Sequence, residues 1–324
     1  MQWFNFNLQD FSVSFLSILF EGAPFMFIGT LIAGFVDAFV PPQMMERILP
    51  RNTGVAIGLS ALLGIAFPMC ECGLVPVIRR MIGKGMPISC ALTYLLSAPI
   101  VNPIVAVSTI AAFRGQRPIL TASLRLGIGF VVACIVGLIV ARVSSRLVLN
   151  PEMQAFLPNP KRHSIPGSLD DPDSPYSIEP HLSPSDSLSF QQKVLGAIRC
   201  GGHDFLDVAF YLVIGAAIAS IFNTAINREV LIPLSSQAVF ATTAMMGLAF
   251  MLSLCSTSDA FIAANFVMFP LVSKLAFMVF GPMMDAKLLL MYGLVFRKGF
   301  TFFLTLSLFV IIAVICLAFG AMKI

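Results

Sequence analysis

Long apolar runs separated by short polar turns dominate the chain. Each uninterrupted run is long enough for one helix to cross the hydrocarbon core of a bilayer, which takes about 20 residues. Other apolar runs are shorter or are broken by proline, glycine and polar residues, which predicts broken or re-entrant helices. The uninterrupted runs cover 11–39, 119–141, 204–226 and 300–321, and the interrupted runs cover 54–82, 87–112 and 236–280.

A segment of different composition separates two apolar parts. Residues 143–199 are rich in proline, serine and aspartate, which is typical of a polar linker without a core of its own. Its basic residues predict a cytoplasmic position by the positive-inside rule; they are Arg142, Arg146, Lys161 and Arg162. The predicted domains are a first membrane repeat at 1–142, the linker at 143–199 and a second membrane repeat at 200–324.

The two apolar parts resemble each other at a constant offset of 183 residues, the separation of Cys72 from Cys255. Special residues match at this offset, including the pairs Pro50 and Pro233, Pro87 and Pro270, Pro99 and Pro282, and Arg114 and Arg297. The chain is therefore predicted to be an all-α polytopic membrane protein of two internally repeated halves, with about four spans each. Duplicated halves are typical of secondary transporters, whose solute site lies between the repeats. The offset does not decide between parallel and inverted repeats.

Composition excludes several other classes of protein. Only 11% of the residues are charged and 58% are hydrophobic, whereas a soluble domain carries about 25% charged residues. The net charge of +4 is small and scattered, which does not favour binding to nucleic acid. The chain contains no phosphate-binding Gly-x-x-x-x-Gly-Lys-Ser/Thr loop and no His-Glu-x-x-His helix, so we do not expect an enzyme.

The densest group of reactive residues lies at a matched pair of helix breaks. The first break reads Pro68-Met69-Cys70-Glu71-Cys72-Gly73, and the second reads Cys255-Ser256-Thr257-Ser258-Asp259. Thiolate sulfur is a soft donor that prefers soft metals and metalloids. Acidic side chains are costly in hydrocarbon, so they are candidates for proton or ion coupling. The predicted solute ligands are Cys70, Cys72, Cys255, Ser256 and Ser258, and the predicted coupling residues here are Glu71 and Asp259.

A second matched pair of breaks adds two polar positions. Asn102 follows Pro99 in the first half, and Asp285 occupies the equivalent place after Pro282 in the second half. A polar side chain beside such a break can satisfy freed backbone groups, or it can line the solute pathway. We include Asn102 among the predicted solute ligands and Asp285 among the predicted coupling residues. None of the three histidines falls in a matched break, so we expect no structural metal site and no cofactor.

These motifs together resemble the bacterial predicted-permease family that includes ArsP and YraQ. The resemblance rests on the Pro68 to Gly73 motif, on the Leu96 to Pro103 motif and on the Cys255 to Ala260 motif, and it covers both apolar parts. It implies a multi-pass permease of the bacterial inner membrane with about eight spans. ArsP-type members export trivalent organoarsenicals such as methylarsenite, and cysteines are implicated in that export.

The sequence therefore predicts a secondary transporter that exports a small thiophilic solute such as a trivalent organoarsenical. Two alternatives stay open at this point: a permease for an anion or a small metabolite, and a membrane thiol-redox protein that forms a Cys72–Cys255 disulfide. The expected partners are the solute and membrane lipid, and a homo-oligomer is compatible with the sequence.

Overall fold

The computed structural model describes residues 8–39, 50, 52–67, 69–155, 190–225 and 237–321. Within these ranges the regular structure is helical, apart from one isolated bridge between Leu149 and Phe296. The predicted all-α membrane class is confirmed. Most of the predicted linker, at 156–189, lies outside the described residues, as do Pro68 and Pro233.

Among the residues that the structure describes, six helices lie in the first apolar part and six in the second. The first six are α1 (Leu8–Phe39), α2 (Thr53–Ala66), α3 (Glu71–Gly83), α4 (Ile88–Ser97), α5 (Pro103–Ala112) and α6 (Pro118–Val140). Two short helices follow, α7 (Ser145–Val148) and α8 (Pro151–Ala155). The second six are α9 (Phe190–Ala225), α10 (Ala238–Leu252), α11 (Asp259–Asn265), α12 (Leu271–Met283), α13 (Ala286–Tyr292) and α14 (Lys298–Ala321).

Five of the described segments are long and apolar enough to cross a membrane; they are Leu8–Val36, Pro118–Val140, Val194–Ile221, Leu271–Tyr292 and Lys298–Ala321. The Leu271–Tyr292 segment is mostly buried and runs through the centre of the bundle. The outer helices expose large apolar side chains, such as Phe20 on α1, Ile119 on α6 and Phe302 on α14. Such a surface suits contact with lipid rather than with water.

Helices α1 and α9 pack against each other in opposite directions. Near the beginning of α1, Ile18 packs with Ala216 and Ala219, and near its end Gly34 lies against the backbone of Ala197. Residue numbers therefore rise along one helix while they fall along the other. α9 begins at Phe190, earlier than the apolar run at 204 predicts, because its small residues Ala197 and Gly201 pack closely on α1.

Helices α6 and α14 also run in opposite directions. The peptide N–H of Asn150, beyond the end of α6, donates to the carbonyl of Val295 at 3.0 Å, and that of Arg297 donates to the carbonyl of Val148 at 3.0 Å. The end of α6 and the beginning of α14 therefore meet at one end of the bundle. We call this the linker end, and it also holds the end of α1 and the beginning of α9. The opposite end, where Lys274 bonds to Gln116, is the distal end.

Two helical hairpins enter the bundle from these opposite ends. Helices α2 and α3 form the first, and its outer end contacts α9 through the Arg80–Asp204 ion pair at 2.8 Å. Helices α10 and α11 form the second; it begins after α9 has reached the distal end, and it leads into α12 near Lys274. The tips of both hairpins are the sequence breaks that carry the cysteines.

Equivalent helices begin at matching positions. Ile88 and Leu271 open α4 and α12, and Pro103 and Ala286 open α5 and α13, each pair at the 183-residue offset. In the described part of the chain, α1 therefore runs antiparallel to α9, and α6 runs antiparallel to α14.

Candidate functional site

The two hairpin tips meet at a small cavity inside the bundle. Its volume is about 10 Å³, which is roughly the space that one water molecule needs. Three cysteines from the two halves line it together with Glu71 and Lys287. The remaining lining residues come from α1 and α9; they are Ile18, Glu21, Gly22, Phe25 and Leu212.

The first break brings two thiols to one side of the helix start. Cys70 caps α3 in an extended conformation, with φ −77° and ψ 162°, and Cys72 lies in the first turn. On a continuous helix residues i and i+2 point in different directions, but the extended residue removes that constraint. Both side chains therefore reach the same cavity, Cys72 fully buried and Cys70 partly buried.

A tight turn presents the third thiol. Ser253 ends α10 in the left-handed region, with φ 48°, and the carbonyl of Cys255 then accepts from the peptide N–H groups of Ser258 and Asp259. The Ser258 hydroxyl donates to Glu21 Oε1 at 3.0 Å, which ties this turn to α1. The predicted residues Cys70, Cys72 and Cys255 thus converge, and the predicted residue Ser258 lies beside them.

A group of three buried charges adjoins the thiols. Lys287 Nζ lies 3.3 Å from Glu71 Oε1, 3.5 Å from Asp285 Oδ2 and 3.1 Å from the carbonyl of Ser253. Asp285 also caps α13, because its Oδ1 accepts from the peptide N–H of Leu288 at 2.7 Å. Two carboxylates therefore share one ammonium group, and Glu71 Oε2 has no hydrogen-bond partner among the described residues. An uncompensated carboxylate in such a place favours uptake of a proton or a cation.

The other predicted acid has a partner of its own. Arg125 of α6 is completely buried, and its Nη2 contacts Asp259 Oδ1 at 2.9 Å and Oδ2 at 2.8 Å. The same nitrogen donates to the carbonyl of Ser256 at 2.8 Å, and Nη1 donates to Thr109 Oγ1 at 2.9 Å. This pair is one cation to one anion, unlike the group around Lys287.

Two predicted ligands lie away from the cavity lining. Asn102 caps α5, since its side-chain oxygen accepts from the peptide N–H of Ile104 at 2.9 Å. Ser256 is buried at the Arg125 contact through its carbonyl. Their roles as solute ligands stay predictions, and the structure gives each a second role in holding a break.

Sequence reasoning did not single out Arg125. A lone arginine in the middle of the apolar run 119–141 was the available signal, because a charge at that depth marks a functional or paired residue. Glu21 inside the first run carried the same signal. The structure also places Lys287 with two acids, Glu71 and Asp285.

The described cysteine side chains are free thiols; they are Cys70, Cys72, Cys90, Cys134, Cys255 and Cys316. Among the residues that the structure describes, no group of three or more histidine, cysteine or acidic side chains is arranged to hold a metal ion. The site is therefore built from thiols, carboxylates and one ammonium group.

Comparison with known proteins places the chain in a family. The profile of a family described as predicted permease matches residues 7–321. The UPF0718 protein YcgR of Bacillus subtilis is 38% identical over 300 residues, which cover 92% of each chain. A Streptococcus mutans protein is 29% identical over 310 residues, which cover 95% of this chain and 94% of the relative. That relative is named as a subunit of a two-component membrane permease complex.

No solved structure matches the chain. The family match spans both sets of helices and both hairpin tips, in agreement with the resemblance that the motifs carry. The chain therefore belongs to the ArsP-type predicted permease family, as a multi-pass membrane permease.

Proposed function

We propose that this permease exports a small thiophilic solute, such as a trivalent organoarsenical, across the bacterial inner membrane. The observation that supports this substrate class is the convergence of Cys70, Cys72 and Cys255 on one buried cavity. Soft donors prefer soft acceptors, so three thiols at one cavity favour a thiophilic solute.

The proposed binding chemistry is reversible thiol exchange at arsenic. A monomethyl arsenic(III) dihydroxide forms one As–S bond with each thiol, and each bond releases one water made from an arsenic hydroxyl and the thiol proton. Such a centre takes two sulfurs. With Cys70 and Cys72 on the first half and Cys255 on the second, the solute can change one thiol partner without leaving the site.

Glu71 and Asp285 are the proposed coupling residues. Their shared partner Lys287 can balance only one of them, so a proton on the other neutralises the group. Asp259 belonged to the same prediction, but both of its oxygens contact Arg125, which favours a structural role. Protonation next to the thiols would link solute release to the proton gradient.

Duplication with inversion is the proposed basis of transport. Matched helices run in opposite directions in the pairs α1 with α9 and α6 with α14. Inverted repeats place the solute site at the middle of the membrane and let each half open the site to one side in turn. The cavity of about 10 Å³ is too small for an organoarsenical, so binding requires movement of a hairpin.

Charge at the cavity argues against the anion alternative. Glu21 and Glu71 line the cavity with Lys287 as the single lining cation, so the lining carries more negative than positive groups. An anionic solute would meet net repulsion there. A permease for a thiophilic neutral solute avoids that cost.

The name of the Streptococcus relative suggests a partner subunit. We propose that this chain also works with a second membrane protein, in addition to any self-association. Affinity purification of the tagged chain from gently solubilised membranes, followed by mass spectrometry, is expected to recover one membrane protein in stoichiometric amount. Recovery of the chain alone would contradict this proposal.

The substrate proposal is tested by uptake of methylarsenite into everted membrane vesicles. The wild-type chain should accumulate the compound with a proton gradient, and Cys72→Ser and Cys255→Ser should reduce the initial rate by about 10-fold or more, as expected when a ligand to a soft centre is lost. Cys316→Ser is the control, because Cys316 is buried in α14 and does not line the cavity. Absence of uptake by the wild type would refute the substrate.

A further inference from the structure

We propose that Arg125 is a positioning residue: it holds the turn that carries Cys255, so that the third thiol stays in the cavity. The proposal deepens the proposed function, since it concerns the same site. An arginine in the centre of a membrane helix is costly, so its contacts must offset a substantial penalty.

The contacts of Arg125 bracket the turn. Its Nη2 reaches the carbonyl of Ser256, directly after Cys255, and the carboxylate of Asp259, where α11 begins. The Cys255 carbonyl in turn accepts from Ser258 and Asp259. The guanidinium and the turn therefore form one hydrogen-bonded unit, and Cys255 cannot move far without breaking several of these bonds.

Only a guanidinium can make this set of contacts. Its donors lie in a rigid planar fork, whereas a lysine ammonium is a point charge on a flexible stem. A lysine at position 125 would keep the charge for Asp259 but would lose the simultaneous contacts with the Ser256 carbonyl and Thr109. Arg125→Lys therefore keeps the charge balance with Asp259 and removes the contacts that position the turn.

A similar ion pair elsewhere supplies the control. Arg80 donates from Nε and Nη2 to both oxygens of Asp204, and it also joins the two halves. It lies at the linker end, however, and neither residue lines the cavity. Arg80→Lys thus perturbs an inter-half arginine–aspartate pair without touching the Cys255 turn.

The test measures maleimide labelling of single cysteines in membranes, which does not require transport. In chains that keep only Cys255, Arg125→Lys should change the labelling rate by about 10-fold, because it removes hydrogen bonds that a charged group makes to the turn. In chains that keep only Cys72, the rate should stay within about 2-fold, because Arg125 bonds to the Cys255 turn and to Thr109, and independent sites couple weakly. Arg80→Lys should leave both rates unchanged.

Two outcomes would overturn the proposal. An unchanged Cys255 rate would show that the turn keeps its shape without the fork, and equal changes at Cys72 and Cys255 would show a general loosening of the bundle. If the Arg125→Lys protein fails to accumulate, Thr109→Val provides a milder variant that removes one Arg125 contact. It should change the labelling rate of Cys255 in the same direction. An unchanged rate would count against the positioning role of Arg125. If methylarsenite uptake is absent but the labelling rates change as expected, the proposed substrate is rejected and the positioning role of Arg125 is kept.

Basic residues are distributed unevenly between the two ends of the bundle, and this distribution indicates how the protein is oriented in the membrane. The linker end carries the larger set: Arg79, Arg80, Lys84, Arg142, Arg199, Arg297 and Lys298. The distal end carries Arg114, Arg117 and Lys274 among the described residues. Basic residues accumulate on the cytoplasmic side of inner-membrane proteins. We infer that the linker end is cytoplasmic and that Leu8 and Ala321 lie on the outer side.

This orientation gives each half three crossings and one re-entrant hairpin. The α2–α3 hairpin enters from the cytoplasm and the α10–α11 hairpin enters from the outside, so the cysteine-bearing tips approach each other from opposite sides. Non-helical backbone at this depth is tolerated because it is buried in protein. The eight full spans that the family resemblance implies would instead place the two ends of each hairpin on opposite sides.

The test uses single cysteines at the hairpin ends in a chain whose own cysteines are replaced by serine. With a membrane-impermeant maleimide, Gln237→Cys and Met268→Cys should label in intact cells, and Thr53→Cys and Lys84→Cys should label only in everted vesicles. Opposite accessibility within either pair would overturn the re-entrant arrangement. If Thr53→Cys and Lys84→Cys label in intact cells while Gln237→Cys and Met268→Cys label only in everted vesicles, the proposed orientation is wrong.

Discussion

The two hairpin tips are held in place by different means. At the first tip, Gly29 of α1 packs directly on the backbone of Gly73, and a Cβ at position 29 would overlap it. At the equivalent positions of the second half stand Leu212 and Ser256, and there Arg125 holds the turn instead. One tip is therefore fixed by close backbone packing and the other by a buried ion pair.

The charges at the two tips differ in the same way. Arg125 and Asp259 form a one-to-one pair in which both carboxylate oxygens and both Arg125 Nη atoms are hydrogen-bonded, while Arg125 Nε has no partner among the described residues. Lys287 must serve both Glu71 and Asp285, and it leaves Glu71 Oε2 without a hydrogen bond among the described side chains. A matched pair resists change, whereas a mismatched group changes state when one proton arrives. We therefore propose a structural role for the charges at the second tip and a coupling role for those at the first.

The largest expected effect comes from breaking the matched pair. Arg125→Leu leaves Asp259 buried and unpaired, which costs about 3–5 kcal/mol of unfolding free energy. Arg80→Leu should cost less, because the Arg80 side chain is partly exposed and solvent screens its pair with Asp204. Thermal unfolding of the purified variants in detergent, followed by thiol-reactive fluorescence, measures the difference. Equal losses of unfolding free energy would show that the Arg125 pair stabilises the fold no more than the Arg80 pair does.

A smaller structural effect is expected where backbone packing holds the first tip. Gly29→Ala forces α1 away from Gly73, and overpacking of this kind costs about 1–3 kcal/mol. Gly58→Ala is the matched control, because a Cβ at position 58 meets no atom within 4 Å. The same unfolding assay should separate the two variants. A Gly29→Ala chain as stable as Gly58→Ala would contradict the packing account.

The mismatched group should affect transport more than stability. Glu71→Gln removes the surplus negative charge, so the unfolding free energy should change by about 1 kcal/mol or less, because the remaining Lys287–Asp285 pair is balanced. Proton-driven uptake in vesicles should fall by about 10-fold or more, as expected when a residue that transfers protons is lost. An unfolding loss as large as that of Arg125→Leu, with uptake preserved, would reverse the assignment.

The smallest expected effect concerns the bond between the second tip and α1. Ser258→Ala removes one hydrogen bond to Glu21, which is worth about 0.5–1.5 kcal/mol. The loss should be detectable as a small decrease in unfolding temperature. A loss that matched Arg125→Leu would mean that Ser258, rather than Arg125, holds the turn.

Much of this fold was predictable from the pattern of the chain. The uninterrupted runs became α1, α6, α9 and α14, and the breaks around Cys70 and Cys255 became hairpin tips, because proline, glycine and small polar residues interrupt helices wherever they cluster. The convergence of the cysteines was only a hypothesis, since the offset of 183 residues relates the breaks in sequence and not in space.

The contacts between halves could not be predicted. Arg125 and Asp259 are 134 residues apart, and Lys287 and Glu71 are 216 apart. Nothing local in the sequence selects these partners among the other charges. The antiparallel packing of α1 on α9 likewise depends on tertiary contacts such as Gly34 against Ala197. Periodicity and composition describe single helices, and they do not indicate how two helices are oriented relative to each other.

The central claim is that thiols from the two halves converge on one solute. Its most direct test uses a chain cut at a protease site in the linker that keeps only Cys72 and Cys255, with phenylarsine oxide as the probe. The two fragments should remain joined on a non-reducing gel when the probe is present and should separate after dithiothreitol. A chain that keeps only Cys90 and Cys316 should give separate fragments in both cases. Separation of the Cys72 and Cys255 fragments in the presence of the probe would contradict the shared site.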